Sequence, residues 1–381
     1  MCFGRHFLLI LCFLFFQPAI AQDRVTLTFI GDIMGHGAQI EDAAYHERHF
    51  PDVNAYQHCF QYVKRSLSKS DFTIGNLEVT LAGAPYAGYP TFSSPASLLD
   101  ASRDAGIDVF ALANNHVLDR GSRGVVRTTR KLESRGIPYM GAYRDSASHD
   151  SLNGLVLQKG DFRIGVLNYT YGTNGITARP PIMINYIDTV QIKNDIDSIR
   201  KKQVDEVVVM LHWGNEYQLK PSRSQRRLTT FLHENGVRVV IGSHPHVVQP
   251  IDWNREKQEL CVYSLGNFIS NQRESPKDIG LIVHVTLMKN GEKTHVEDVS
   301  YQTTYVHRFK ESNGYCFTVL PYSFIGKDSI AFYNSKLRSK ASSDEKVIRE
   351  LLGKSKARYL QYDDQFDDSI PCDIKPKVWV P

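Results

Sequence analysis

Short apolar runs alternate with longer amphipathic stretches along the chain from Val25 to about Leu287. Runs rich in β-branched residues are typical of strands, whereas apolar residues at helical spacing are typical of amphipathic helices. Strands that alternate with helices predict an α/β fold. The predicted strands are Val25–Ile30, Phe72–Ile74, Val109–Leu112, Arg163–Leu167, Glu206–Leu211, Val237–Ile241, Leu260–Tyr263 and Leu281–Leu287. The predicted helices are Tyr56–Leu67, Pro95–Ala105, Gly121–Arg135, Thr189–Lys202 and Ser222–Asn235.

The alternation weakens after Tyr305. Residues 306–381 contain one predicted helix, Asp344–Tyr359, and a Pro-rich end. We therefore expect one α/β domain over residues 22–305, followed by a C-terminal extension of unknown role over residues 306–381.

The first 21 residues have the features of a secretory signal peptide. Arg5 and His6 precede the apolar run Phe7–Phe16, and Ala19-Ile20-Ala21 is a small-x-small cleavage site. The apolar run is shorter than the roughly 20 residues that a transmembrane helix needs, which disfavours the alternative of a retained anchor. We expect cleavage before Gln22, export to the periplasm or cell surface, and no transmembrane span in the mature chain.

Composition and charge narrow the class of protein. The chain is 42% hydrophobic and 23% charged, which supports a packed core and excludes disorder, collagen and a coiled coil as the main architecture. A net charge of +4 is too small to argue for nucleic-acid binding. Cleavage would leave Cys59, Cys261, Cys316 and Cys372, which lack C-x-x-C spacing; they either pair in disulfides or lie buried as apolar residues.

Polar side chains follow five of the predicted strands. In an open α/β sheet the carboxyl ends of the strands are where ligands bind. Carboxylate, amide oxygen and neutral imidazole are ligands that suit Mn, Fe or Zn. Each residue alone has a simpler role as a turn, a helix cap or a core histidine, but their joint occurrence favours a cation-binding site. The side chains are Asp32, Glu78, Asn115 with His116, His212, and His244 with His246.

Six ordered motifs between Thr26 and Ile269 strongly resemble the CapA family of capsule and poly-gamma-glutamate biosynthesis proteins, which is related to the calcineurin-like metallophosphoesterases. The motifs are Gly31-Asp32-Ile33-Met34, Asn76-Leu77-Glu78, Asn114-Asn115-His116 with Asp119 and Gly121, His212-Trp213-Gly214 with Glu216-Tyr217, Gly242-Ser243-His244-Pro245-His246-Val247 with Gln249-Pro250, and Tyr263-Ser264-Leu265-Gly266-Asn267-Phe268. The resemblance implies a four-layer α/β/β/α sandwich with a site for two divalent metal ions.

The phosphoesterase pattern also implies a role for each matching residue. Asp32 and His246 would bind the first metal, and Glu78 would bridge both metals. Asn115, His212 and His244 would bind the second. His116 would be the acid that protonates the leaving group, and Asp119 would orient it. We expect four residues of the motifs to line the substrate groove, together with Tyr86 and Tyr89, unless they are packing residues: Trp213, Glu216, Tyr217 and Asn267.

Two positions depart from the phosphoesterase pattern. Met34 stands where a histidine ligand is expected, so the first metal site lacks a ligand unless His36 substitutes. Asn76 and Glu78 stand where the bridging aspartate is expected. Both departures occur in the CapA family, so they support membership and weaken the inference of phosphoesterase chemistry.

Three functions compete for these residues. The first is an exported metal-dependent hydrolase or transferase that acts on an anionic cell-envelope polymer. The second is a non-catalytic component that helps other capsule-assembly proteins to assemble or export such a polymer. The third, by superfamily analogy alone, is a periplasmic metallophosphodiesterase.

Overall fold

The computed structural model describes residues 23–311, 314–324, 335–360 and 378–380. The predicted signal peptide and Cys372 lie outside the described residues. The strands are β1 (Asp23–Ile33), β2 (Phe72–Leu77), β3 (Val109–Ala111), β4 (Tyr139–Met140), β5 (Ala142–Tyr143), β6 (Leu155–Lys159), β7 (Phe162–Thr170), β8 (Met183–Ile184), β9 (Glu206–His212), β10 (Val239–Ser243), β11 (Ile251–Asn254), β12 (Glu259–Val262), β13 (Asn267–Ile269), β14 (Ile279–Asn290), β15 (Lys293–Glu311), β16 (Gly314–Pro321), β17 (Arg358–Tyr359) and β18 (Val378–Val380). The helices are α1 (Gly37–His49), α2 (Gln57–Phe60), α3 (Lys64–Ser68), α4 (Ala96–Asp104), α5 (Gly121–Glu133), α6 (Ser146–Leu152), α7 (Thr189–Lys201), α8 (Arg223–Glu234) and α9 (Ser335–Leu352), with a 3₁₀ turn over Tyr322–Phe324.

Most strands form two mixed sheets. The first has the order β16-β15-β14-β1-β2-β3-β4, with β13 beside β1 and β17 beside β15. The second has the order β11-β12-β10-β9-β7-β6-β18. Strands β1 to β4 run parallel in the first sheet, as do β7, β9, β10 and β12 in the second. Parallel strands place their carboxyl ends at one edge of each sheet, which is where the motif residues follow.

Side-chain alternation along the strands builds four layers. Val25, Leu27 and Phe29 of β1 belong to the core between the two sheets. Ile30 of the same strand belongs to the core beneath α1 to α5. On the outer face of the second sheet, apolar residues of β9 pack with α7 and α8. The predicted four-layer α/β/β/α sandwich is confirmed.

All eight predicted strands are present, whereas the helices agree less completely. The predicted helix Tyr56–Leu67 is divided into α2 and α3. Helix α1 was not predicted, because its few apolar residues produce no clear helical periodicity.

The C-terminal region is more closely joined to the sandwich than expected. Strand β15 runs through the expected boundary at residues 305 and 306, and β16 pairs with it at the edge of the first sheet. The predicted helix Asp344–Tyr359 is wrong at both ends: α9 covers Ser335–Leu352, and Arg358–Tyr359 instead pairs with β15 as β17. Gly353 follows the last helical residue, a position where glycine commonly ends a helix.

The three described cysteines lie in the core. Cys59 and Cys261 are buried free thiols, and Cys316 is also buried, so these residues serve as core side chains.

None of the helices in the described part of the chain combines the length and apolar character that a bilayer crossing requires.

Candidate metal centre

The carboxyl ends of strands from both sheets meet at one cluster of buried polar side chains. In the first sheet, Asp32 lies opposite Asn76 of β2 and Asn267 of β13. In the second sheet, His212 of β9 lies opposite Ser243 of β10. The cluster therefore forms where the two sheets face each other, as the sequence pattern predicts.

Asp32, Glu78 and His246 form one half of the cluster. His246 Nδ1 lies 3.1 Å from Asp32 Oδ2, and His246 Nε2 lies 3.7 Å from Glu78 Oε1. Asn76 Nδ2 donates to Asp32 Oδ1 at 2.8 Å and to Glu78 Oε2 at 3.2 Å. One amide therefore holds the two carboxylates in place.

Asn115, His212 and His244 form the other half. His212 Nε2 lies 2.9 Å from Asn115 Oδ1 and 3.6 Å from Glu78 Oε1. The imidazole rings of His212 and His244 have centroids 4.7 Å apart. Glu78 thus contacts histidines from both halves, which is the position required of a bridging ligand.

The backbone of the His244-Pro245-His246 segment is strained. His244 has a φ of 98° and His246 a φ of 55°, a region that residues other than glycine seldom occupy. The Pro245 carbonyl accepts a hydrogen bond from Tyr217 N at 2.7 Å, which helps to hold this conformation. Strain of this kind is concentrated at functional sites, where it aims side chains that a regular turn would not.

The electrostatics of the cluster suit a divalent cation. Burial, together with the Asp32 charge, raises the pKa of Glu78 well above its usual range. Burial and the neighbouring imidazoles lower the pKa of His212 well below its usual range and that of His244 to about 3. Both histidines are therefore neutral near pH 7, which is the form that binds metals.

Two unsatisfied polar atoms also indicate that the cluster suits a cation. Glu78 Oε1 and His244 Nδ1 are buried and have no hydrogen-bond partner. Leaving such groups unpaired costs about 1–3 kcal/mol each, more for a charged group. Two groups of potential ligands, each with its donor atoms within 4.8 Å of one another, share Glu78: Asp32, Glu78 and His212, and Glu78, His244 and His246. The donor set therefore fits a metal ion.

His116 lies beside this cluster and is oriented by a carboxylate. Its Nδ1 lies 2.8 Å from Asp119 Oδ2, which also accepts a hydrogen bond from Phe92 N at 2.7 Å. The Phe92 ring meets the His116 ring edge-on, with centroids 4.7 Å apart. Asn174 links His116 to the candidate metal centre, because it contacts His116 Nδ1 at 3.5 Å and Asn115 Nδ2 at 3.2 Å.

Two residues predicted to bind substrate do not face the groove. Trp213 is buried in the core beneath α7 and α8, and its Nε1 donates to the Tyr263 carbonyl. Asn267 is fully buried; its Oδ1 contacts His246 Nδ1 at 3.0 Å, and its Nδ2 donates to the carbonyls of His246 and Lys277. Asn267 therefore positions His246, and neither residue is available to a substrate.

The other predicted groove residues are exposed. Glu216, Tyr217, Tyr86 and Tyr89 all reach the surface. The centroids of the Tyr217 and His246 rings lie 6.1 Å apart, so this tyrosine lies at the rim of the candidate metal centre. Lys277 was not predicted; its Nζ lies 3.9 Å from the centroid of the Tyr217 ring and adds a positive charge to the rim.

Several other residues of the cluster were not predicted from the sequence to have a role in the site. Asn114 donates to the Leu77 carbonyl and to Asn76 Oδ1, and its own Oδ1 accepts from His116 N. The position of Asn114 within the Asn114-Asn115-His116 motif could have indicated that it supports the site. Tyr171, whose ring lies 4.5 Å from that of His244, and Asn174 follow β7 in a loop that carries no recognisable motif.

Met34 stands in the place of the missing first-metal ligand, and His36 is the residue that could substitute for it. Met34 is buried in the core beneath α1 to α5. His36 precedes α1, and its Nδ1 accepts a hydrogen bond from Asn271 N at 3.2 Å. Burial lowers the pKa of His36 to about 4. Among the described residues, His36 belongs to none of the groups whose ligand atoms lie close enough to share an ion.

Comparisons with known proteins agree with the motifs. Residues 26–272 match the family model of the bacterial capsule synthesis protein PGA_cap. The capsule biosynthesis protein CapA of Bacillus anthracis is 28% identical over 71% of this chain and 66% of its own length, and the PGA biosynthesis protein CapA of Bacillus subtilis is 27% identical over 71% of this chain and 70% of its own. The calcineurin-like phosphoesterase YfkN of Bacillus subtilis aligns with a TM-score of 0.43 and 10% identity, covering 86% of this chain and 98% of that one. The family model covers more than half of this chain. The chain therefore belongs to the PGA_cap family of bacterial capsule synthesis proteins.

Proposed function

We propose that this protein is an exported metal-dependent hydrolase or transferase that acts on an anionic polymer of the cell envelope. The observation that carries this proposal is the His116–Asp119 pair, held beside a buried cluster of carboxylates and imidazoles. A protein that only binds a polymer has little use for an oriented proton donor next to a metal centre. The names of the Bacillus relatives support a substrate related to capsule or poly-gamma-glutamate.

Six side chains would hold two divalent ions, Mn, Fe or Zn. The first ion would be held by Asp32 and His246. The second ion would be held by Asn115, His212 and His244. Glu78 would be a ligand of both ions. Bound there, the ions would supply an activated water and neutralise charge that develops on the substrate.

The chain's own residues carry the remaining steps. Asp119 holds His116 in one orientation through Nδ1, so that the other ring nitrogen, Nε2, is the atom that would give a proton to the leaving group. Phe92 packs against the ring and limits access of water to it. Tyr217 and Lys277 at the rim would contact the polymer, the lysine by attracting its negative charge.

The test is to measure bound metal and turnover in the same preparations. Wild type, His116→Ala and the control His149→Ala in α6 are compared on a phosphodiester and on a γ-glutamyl amide. We expect wild type and the control to turn over one of these substrates, and His116→Ala to retain metal but lose activity. Turnover of the phosphodiester alone would favour a phosphodiesterase.

One observation favours the alternative of a non-catalytic component of polymer assembly or export. The first-metal site lacks the histidine that Met34 replaces, and His36 is bonded to Asn271. Bound metal without any turnover that depends on His116 would favour this alternative and overturn the enzymatic proposal.

A further inference from the structure

A second group of potential metal ligands lies on the helices that cover the first sheet. Asp42 and His46 are four residues apart in α1, a spacing that places them on one face of the helix. His58 in α2 faces them. A carboxylate oxygen of Asp42 and a ring nitrogen of each histidine all lie within 4.8 Å of one another.

The contacts within this group are short. His58 Nε2 lies 2.9 Å from Asp42 Oδ2, and His46 Nδ1 lies 3.0 Å from Asp42 Oδ1. Ligand atoms around a small divalent ion lie about 3 Å apart when each is about 2.0–2.1 Å from the metal. Each histidine therefore already contacts the carboxylate, through a different oxygen, and one ligand atom from each of the three side chains lies close enough to share an ion.

The Asp42 carboxylate lacks a full set of hydrogen bonds. Its side chain is only 3% exposed, and Oδ1 has no hydrogen-bond partner, because His46 Nδ1 is directed at the Asp42 backbone carbonyl instead. Oδ2 accepts from Phe317 N of β16 at 3.2 Å. His58 Nδ1 is also buried without a partner. A buried carboxylate in this state is costly unless a cation neutralises it.

The two imidazoles stand side by side next to the carboxylate. The rings of His46 and His58 are stacked, with centroids 3.9 Å apart and planes 13° from parallel. One divalent cation placed here would neutralise the Asp42 carboxylate and could accept a nitrogen from each ring.

We infer that Asp42, His46 and His58 form a site for one divalent cation of the Zn²⁺ type, separate from the candidate metal centre. Two imidazoles and one carboxylate are a ligand set that Zn²⁺ accepts, with water free to complete the coordination because both histidine side chains are about one-fifth exposed. The ion would join α1 to α2, and Asp42 also accepts a hydrogen bond from Phe317 N of β16, so the ion would stabilise the helical layer.

The test measures zinc content and thermal unfolding of the full chain. Wild type, His58→Ala, Asp42→Asn and the control His49→Ala are loaded with Zn²⁺ and freed of excess metal. His49 lies in the same helix and makes the same kind of contact to a backbone carbonyl, but it forms no ion pair with a carboxylate in the described part of the chain. We expect His58→Ala and Asp42→Asn to hold one zinc equivalent fewer than wild type and His49→Ala, and to lose part of the zinc-dependent rise in Tm.

A variant of the candidate metal centre separates the two sites. Glu78→Gln combined with His244→Ala should retain the zinc equivalent that His58→Ala loses. Anomalous scattering from crystals of the wild type grown with Zn²⁺ provides a check that does not depend on any variant folding. A peak between Asp42, His46 and His58 supports the site, whereas no peak there, or equal zinc content in wild type and His58→Ala, would overturn it.

Discussion

His116 Nδ1 lies 2.8 Å from Asp119 Oδ2, and both side chains are buried beside the candidate metal centre. The same carboxylate oxygen accepts a hydrogen bond from Phe92 N, so the pair is fixed to the loop that passes over it. This geometry gives His116 one orientation and separates its role from that of the metal ligands.

Asp119→Asn is expected to lower kcat/KM by about 10- to 100-fold, because the amide holds the imidazole less firmly and favours a different tautomer. Bound metal should stay at the wild-type level, since Asp119 contacts none of the proposed ligands directly. Steady-state kinetics and metal analysis on the same preparation check both expectations. Wild-type activity in this variant would contradict the assigned role.

Metal removal should reverse the effect of Glu78→Gln on stability. With metal bound, the variant should melt at a lower temperature than wild type because it has lost a bridging carboxylate. Without metal, the raised pKa of Glu78 means that the folded state binds an extra proton, so wild-type stability falls as pH rises above about 4.5. At pH 8 metal-free Glu78→Gln should therefore have the higher Tm, and calorimetry with and without chelator tests the reversal.

Lys277→Ala should weaken binding of an anionic substrate without changing the chemical step. Lys277 Nζ lies over the Tyr217 ring at the rim, and its charge is partly shared with Glu274 at 2.6 Å. We expect KM to rise about 2- to 5-fold with kcat nearly unchanged. Added salt should raise the KM of wild type more than that of the variant. Lys293→Ala, at the exposed start of β15, is the control and should leave both constants unchanged.

Gly31→Ala should disrupt the end of β1 that carries Asp32 into the candidate metal centre. A Cβ at this position would lie 1.9 Å from the Gly266 carbonyl oxygen, a backbone atom that cannot move without displacing β13. We expect a loss of about 3 kcal/mol or more in the free energy of unfolding, together with loss of bound metal. Gly37→Ala is the matched control, because its Cβ would meet nothing within 4 Å and alanine favours the helix there. Denaturant unfolding of both variants makes the comparison.

His284 should make part of the stability depend on pH. Burial, reinforced by the Lys69 charge, lowers the pKa of His284 from 6.5 to about 4, and its Nδ1 bonds Thr28 Oγ1 at 2.7 Å. The unfolded chain takes up a proton below pH 6.5 before the folded chain does. The contribution of His284 is therefore fully present above pH 6.5 and is lost as pH falls towards 4, by about 3 kcal/mol in total.

The variant His284→Gln isolates this contribution. Between pH 7 and pH 5 it should lose about 2 kcal/mol less of unfolding free energy than wild type, as measured by urea titration at each pH. Identical pH dependence in the two proteins would show that His284 is not buried in its neutral form.

The sequence by itself determined the α/β class, all eight predicted strands and the edge at which the polar residues gather. It did so because strand periodicity and the residues that follow each strand are local properties. The motifs also indicated Asp32, Glu78, Asn115, His116, His212, His244 and His246, which the structure brings together.

Only the tertiary structure decided what neighbouring residues in a motif do. His212 and Trp213 are adjacent, yet successive side chains of an extended segment point to opposite faces, so one reaches the metal centre and the other enters the core beneath α7 and α8. Likewise Asn267 is directed inward to His246, and Lys277 reaches the rim from a distant part of the chain. The group of Asp42, His46 and His58 depends on the packing of α1 against α2, a contact between helices that no local pattern in the sequence encodes.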